Sequence, residues 1–319
     1  MSNLELRQEI GTLPKAQLDF QTTHFYLGVR GIQVRLVDHP VNPYRAIVAM
    51  VTATWGNAWA TGRWDKLSPA SRLHVVTSCL RRKTLPNALE AMTFVFEVAG
   101  LSRSAFDQIA RARIGVVIGS MGWRDNCHDD IDFRVPSSIA NDPVKLDIFK
   151  AGRHRDKQDF MSMLANNGSW QDARAALPIS ACHRFTIAFS YMALQNFCSK
   201  RLMFNEQEDT VATAWLMRER VLEIFPLLGS YLRPGADWAR RCTEHEGEEY
   251  GNLFRCSGRW PCDRAQVRED FTFNEACTSR ERLMSDLGIY LPKGEEGLPT
   301  GQEGLDNLCY SDLQAFGAR

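Results

Sequence analysis

Long apolar runs are missing from this 319-residue chain. The longest, near Ala46 to Trp55, falls far short of the roughly 20 residues that a membrane span needs. The opening MSNLELRQEI has neither the basic flank nor the apolar core of a secretion signal, so a cytosolic protein without membrane association is expected. Excess charge is missing too: Lys plus Arg number 38 and Asp plus Glu number 38. No global field therefore draws nucleic acid or an anionic bilayer, and any phosphate binding has to come from a local arginine cluster. The chain contains no Gly-x-Gly-x-x-Gly, no Gly-Lys-Ser/Thr phosphate loop, no His-Glu-x-x-His and no Gly-x-Ser-x-Gly. Lack of a dinucleotide fingerprint does not exclude flavin, whose phosphates arginines and helix N-termini can also hold. Nine cysteines are present. That number is odd, and Cys79, Cys182 and Cys198 lie in apolar surroundings where free thiols pack, so a disulfide framework is not expected.

What the chain does have is an ordinary globular balance, 44% hydrophobic and 24% charged, enough for one large domain with extensions. Residues 1–30 read as a polar leader. Ile32, Val34 and Leu36 then alternate as a half-buried strand, ended by His39-Pro40, and a helix is predicted from Tyr44 to about Thr54. Ser68 is a fair N-cap for a helix reaching Leu80. Leu89 to Val98 has strand character, and Gly100-Leu101-Ser102 reads as a turn and cap opening a further helix. On that helix Gln108 and Arg111, three apart, are predicted to share a face, so that an amide and a guanidinium meet one ligand.

The stretch Ala173 to Gln207 sets isolated polar side chains into an apolar pattern. Phe185, Phe189, Met192 and Phe197 recur at three to five residues, close to a helical face, and Pro178 suits a helix start. On one helix Asn196 and Arg201 would lie roughly 140° apart. Spacing alone fits an ordinary core helix with solvated ends as well as a pocket wall.

The segment Ala173-Arg174-Ala175-Ala176-Leu177-Pro178, with Asn196, Arg201 and Gln207 following at matching intervals, resembles the flavin-dependent thymidylate synthases. The resemblance covers roughly residues 32–230. Its other half is Gln108 with Arg111-Ala112-Arg113, where the family carries Arg-His-Arg; Val116 stands for a serine, and Ser120 to Arg124 end the loop that cradles nucleotide phosphate. The resemblance implies an α/β (α+β) protein, a sheet flanked by long helices, assembled as a homotetramer with sites at subunit junctions. It implies FAD as cofactor, methylenetetrahydrofolate and NADPH as co-substrates, and one-carbon transfer, methyl or hydroxymethyl, to C5 of a pyrimidine nucleotide. By the same analogy Gln108, Arg111, Ser120, Arg124, Arg174 and Arg201 bind substrate, the last two being catalytic, while Thr52, Glu90, Arg113, Ser190, Asn196 and Gln207 contact flavin. Thr52 at a helix end also reads as a back-bonder. The altered loop predicts a nucleotide other than deoxyuridylate. A nucleotide- or flavin-binding descendant without synthase activity is the alternative. Arg153-His154-Arg155 repeats the motif but reads as a solvated helix face.

Beyond Pro226 the resemblance fades. Residues 233–290 form a Cys/His-rich module, and 291–319, rich in Gly, Pro and Glu, read as a flexible tail. Cys242, His245, Cys256 and Cys262 could close a tetrahedral structural zinc site, which would help a charged segment offset its ordering entropy. Elemental analysis of protein purified without chelator is expected to give about one equivalent of zinc, and less than about a tenth of an equivalent would refute the site.

Overall fold

The computed structural model describes residues 23–56, 59–82, 85–120, 122, 131–202, 206–233 and 308–317. In chain order the strands are β1 (Phe25–Leu27), β2 (Gln33–Asp38), β3 (Thr93–Ser102), β4 (Val116–Ser120), β5 (Phe133–Val135) and β6 (Cys182–Ser190). The helices that position the site are α1 (Pro43–Thr52), α2 (Pro69–Leu80), α3 (Arg103–Ile109), α4 (Pro143–Ala165), α5 (Tyr191–Arg201), α6 (Glu208–Ile224) and α7 (Tyr310–Phe316). Local chemistry starts several of them. Asn42 caps α1 by accepting from Arg45 N at 3.0 Å, Ser68 caps α2 from Ser71 N at 3.2 Å, and a proline occupies the first turn of each, where its missing N–H costs nothing.

Four strands pair antiparallel in the order β2-β3-β6-β4. The expected mixed helix and sheet architecture holds, in its α+β form. Opposite residues of β3 and β6 share a face, so Phe94 meets Phe189, Phe96 meets Ile187 and Val98 meets Phe185. All six are buried, and each aromatic or aliphatic side chain removed from water contributes about 1.5–3 kcal/mol. Helix α6 covers β2 and β3, and the ridge of α5 packs beside it. A bulge interrupts the β3–β6 register at Gly100, whose φ of 83° and the close approach of the Gly31 carbonyl oxygen leave no room for a side chain. The buried guanidinium of Arg134 donates to the carbonyls of Gly100, Gly28 and Arg30, tying the small parallel β1–β5 pair to that bulge.

Three sequence expectations change. The stripe Phe185, Phe189, Met192, Phe197 does not lie on one helix: residues 182–190 are strand and only 191–201 are helix. His183, Phe185, Ile187 and Phe189 are buried while Arg184 and Thr186 face out, a period of two that choosing every fourth residue conceals. Pro178 accordingly sits in a turn, accepting Ala181 N at 3.0 Å. Second, α3 ends at Ile109, so Gln108 and the exposed Arg111 share no helix face. Third, the flexible tail proposed for 291–319 does not extend through residues 308–317. There α7 buries Phe316, which stacks on Tyr44 at 4.4 Å, and Asp312, which accepts from Tyr44 Oη at 2.5 Å and Leu227 N at 3.0 Å. Arg72 donates to the Phe316 carbonyl and Gly317 supplies the left-handed residue that ends the helix. Low apolar content around this helix hid a short segment with one aromatic anchor.

Because Phe316 is fully buried against Tyr44, Phe316→Ala should lower the unfolding free energy by about 3–5 kcal/mol. Denaturant titration measures this, and an unchanged midpoint would exclude α7 from the core.

Candidate functional site

The junction between β3 and α3 supplies one polar cluster. Ser102 ends the strand and caps the helix, its Oγ accepting from Ala105 N at 3.1 Å. The same hydroxyl donates to Asp209 Oδ2 at 2.6 Å, and its backbone N–H donates there at 3.2 Å. Asp209 stands in the first turn of α6, where a carboxylate complements the exposed N–H groups. Gln207, just before that helix, accepts through Oε1 from Gln108 Nε2 at 2.7 Å and from Ser104 Oγ at 3.1 Å, and donates through Nε2 to Ser102 Oγ at 3.3 Å. Arg201, at the end of α5, pairs with Glu206 and donates to the Gln108 carbonyl at 2.8 Å. Thus two stretches separated by 93 to 99 residues bring Gln108, Arg201 and Gln207 into one hydrogen-bonded group.

Asn196 belongs to a second cluster on another side of α5. Its Oδ1 accepts from Arg82 Nη2 at 2.7 Å, while Arg82 Nε donates to Gln195 Oε1 at 3.0 Å. The angular offset between Asn196 and Arg201 is realised as two clusters with the helix between them. Ser190 caps α5, accepting from Ala193 N at 3.3 Å, and its N–H donates to the Gly115 carbonyl at 2.8 Å. A side chain at Gly115 would lie 2.5 Å from Ser190 Oγ, so β4 approaches the helix start only because that residue is glycine.

The other candidates are dispersed. Thr52 is fully buried and donates to the Val48 carbonyl at 2.7 Å, back-bonding within its own helix. Glu90, Arg111, Arg113, Ser120 and Arg174 are exposed; Arg174 Nε donates to the Gln171 carbonyl at 3.0 Å. Ser120 pairs with Phe185 and Val116 with Phe189, which sets Ser120 at the far end of β4 from Ser190. The decoy arginine Arg153 pairs with Asp156 on the long helix α4. Arg124, Cys242, His245, Cys256 and Cys262 lie outside the described residues, and among the described residues no group of three His, Cys, Asp or Glu could hold a metal.

A family model described as "Thymidylate synthase complementing protein" matches residues 35–227, more than half of the chain and every strand and helix that carries the two clusters. The chain belongs to this family. Among its relatives, a flavin-dependent thymidylate synthase of Nitratidesulfovibrio vulgaris is 22% identical over 242 residues, 72% of this chain and 95% of that protein. One from Sulfurisphaera tokodaii is 24% identical over 160 residues, 50% of this chain and 60% of the relative. Two structures of the UMP/dUMP methylase PolB from Streptomyces cacaoi share the fold. The one bound with 5-Br dUMP has a TM-score of 0.56 at 16% identity, covering 65% of this chain and 96% of that one. The one bound with 5-Br UMP has a TM-score of 0.52 at 14% identity, covering 65% and 95%.

In this thymidylate synthase complementing protein family member, sequence reasoning saw Ser102 only as a cap and missed Ser104, Asp209, Arg82 and Gln195 as members of the two clusters. The acidic pair Glu208-Asp209, following Gln207 at a helix start, was the signal available for the first group. Arg82 carries no local signal, since its partners lie over a hundred residues away.

Glu208 is buried beside this cluster, its Oε1 accepting from Ser137 N at 2.7 Å while Oε2 meets no donor among the described residues. Burial holds its carboxyl above the usual glutamate range, and the Ser137 bond opposes this only in part. A folded-state pKa above the unfolded one means stability is fully present below about pH 4.3, the unfolded value, and is lost as pH rises through the folded pKa. Glu208→Gln should remove that decline. Melting temperatures of the two proteins across pH 4 to 8 check it, and parallel profiles would exclude Glu208 as the source.

Proposed function

We propose that this chain is a flavin-dependent enzyme that places a one-carbon unit on C5 of a pyrimidine nucleotide. The family match over residues 35–227 carries this reading, because it spans all the elements that gather Gln108, Arg201 and Gln207. We further propose methylenetetrahydrofolate as carbon donor, NADPH as reductant, FAD as resident cofactor and a homotetrameric assembly. Exposed Ile114 and Val117 beside Arg111 and Arg113 support the last, as apolar side chains next to site candidates suit coverage by another copy.

The donor chemistry around α5 fits a flavin. Asn196 turns its Oδ1 to Arg82, so its Nδ2 hydrogens face away and meet no acceptor among the described residues. FAD, when bound, supplies the hydride-carrying chemistry that no side chain here can. The chain's own residues then have positioning and charge to provide. Gln108 gives Nε2 to Gln207 and keeps Oε1 available to accept a base N–H. Arg201, with one edge on Glu206 and another on the Gln108 carbonyl, holds that amide in place and contributes positive charge near a pyrimidine carbonyl oxygen, where negative charge grows as C5 becomes nucleophilic. Arg111, Arg113 and Arg174, exposed on the single chain, would reach phosphate or flavin only in the assembly. The loop from Val116, which lacks the family's serine, favours a nucleotide other than deoxyuridylate.

The purified protein is expected to absorb near the flavin bands or to take up FAD on reconstitution. With methylenetetrahydrofolate and NADPH it should modify another uridine or cytidine nucleotide faster than deoxyuridylate, read by mass of the product. A colourless protein that cannot be reconstituted would support a binding role instead, and efficient thymidylate formation would overturn the substrate preference. Arg201→Met should lower kcat/KM by about 100-fold, the usual scale for losing one transition-state charge contact.

A further inference from the structure

Arg82 stands at an unusual place for an arginine. Helix α2 ends at Leu80, and Arg82, two residues on, has φ of 57° with its N–H on the Cys79 carbonyl at 2.8 Å. This is the left-handed position that closes a helix and that glycine occupies at least cost. The strain is accompanied by a directed side chain. The partly buried guanidinium reaches across to α5, where both of its acceptors are neutral amide oxygens, Gln195 Oε1 at 3.0 Å and Asn196 Oδ1 at 2.7 Å. Gln195 is itself fixed, its Nε2 on the Leu80 carbonyl at 3.2 Å.

No carboxylate among the described residues pairs with Arg82, in contrast to Arg201 with Glu206 and Arg218 with Glu219. Among the described residues the ionisable group acting on it is the phenol of Tyr191, which burial keeps neutral. Desolvation without a counter-charge lowers the guanidinium pKa to about 10, so it still carries its proton at neutral pH. Of its five N–H donors two have partners among the described residues, and the Asn196 Nδ2 hydrogens beside them have none there. A strained cation with no carboxylate partner among the described residues, next to open amide donors, is a donor set suited to a phosphate group.

We propose that Arg82 and Asn196 form a phosphate-binding pair, with Arg82 both contacting the phosphate and turning the Asn196 amide toward it. The phosphate belongs either to the diphosphate of FAD or to the monophosphate of the pyrimidine nucleotide. The inference rests on the flavin and nucleotide reading above.

Binding titrations of the full-length protein test it. FAD and riboflavin are compared by flavin fluorescence, and dUMP, UMP and uridine by calorimetry. Arg82→Gly relieves the backbone conformation, so it should fold at least as stably as wild type while losing affinity about tenfold or more, the scale of one charge-assisted contact. Loss for FAD but not riboflavin assigns the flavin diphosphate; loss for the nucleotides but not uridine assigns the nucleotide phosphate. Arg82→Lys, which keeps charge without the fork, should recover part of the affinity. Asn196→Asp, which gives the guanidinium an internal partner, should raise the melting temperature and weaken the same ligand. Unchanged affinities in Arg82→Gly, or equal losses for phosphorylated and unphosphorylated ligands, would overturn the phosphate pair alone. Wild-type protein that binds neither FAD nor any nucleotide would overturn the functional reading, and the pair with it.

Discussion

The paired donation from Ser102 to Asp209 is the interaction on which the site's order depends. One carboxylate oxygen receives both the N–H and the Oγ–H of the residue that ends β3 and caps α3. It therefore locks the exit of the central strand against the first turn of α6, two segments 107 residues apart. Gln207 follows from this, because a residue adjacent to a fixed helix start has few places to put its amide. The contacts of Gln207 with Gln108, Ser104 and Ser102 then hold α3, and the Gln108 carbonyl in turn receives Arg201 from α5. Such a chain is cooperative: each partner is oriented by the previous one, and loss of the first leaves buried polar groups without partners.

Much of the scaffold was legible in the sequence because its signals are local. Ser68 announces the start of α2, and the alternation of Ile32, Val34 and Leu36 announces a half-buried strand. The motif resemblance reached further, singling out Gln108, Arg201 and Gln207. The errors came where two periodicities compete. Residues 182–201 switch from strand to helix at Ser190 with no glycine or proline to mark the change, and aromatic residues occupy both parts. Arg111 was misjudged for a related reason: Ala110 and Ala112 favour helix, yet α3 stops at Ile109. Arg82, Arg134 and Asp312 were illegible because their partners are backbone or amide oxygens and donors far away in sequence, which no spacing rule can supply.

Helix α5 separates two chemistries. On one side a guanidinium is neutralised by Glu206, and on another a guanidinium meets, among the described residues, two amide oxygens. A cation already paired is held rigidly and costs little to keep; one without a counter-ion is costly to keep and tends to persist where a ligand completes it. The polar residues of a single helix are thus divided by their electrostatic state rather than by their identity.

The docking of α7 bears on how the protein is made. Tyr44 is laid down early in synthesis, but the carboxyl and ring that cover it, Asp312 and Phe316, leave the ribosome more than 260 residues later. Until then the floor formed by α1 and α2 presents an uncovered aromatic surface, the kind of transient exposure that recruits chaperones. The ring and carboxyl that seal this floor therefore take their seat only after every strand of the sheet has been made.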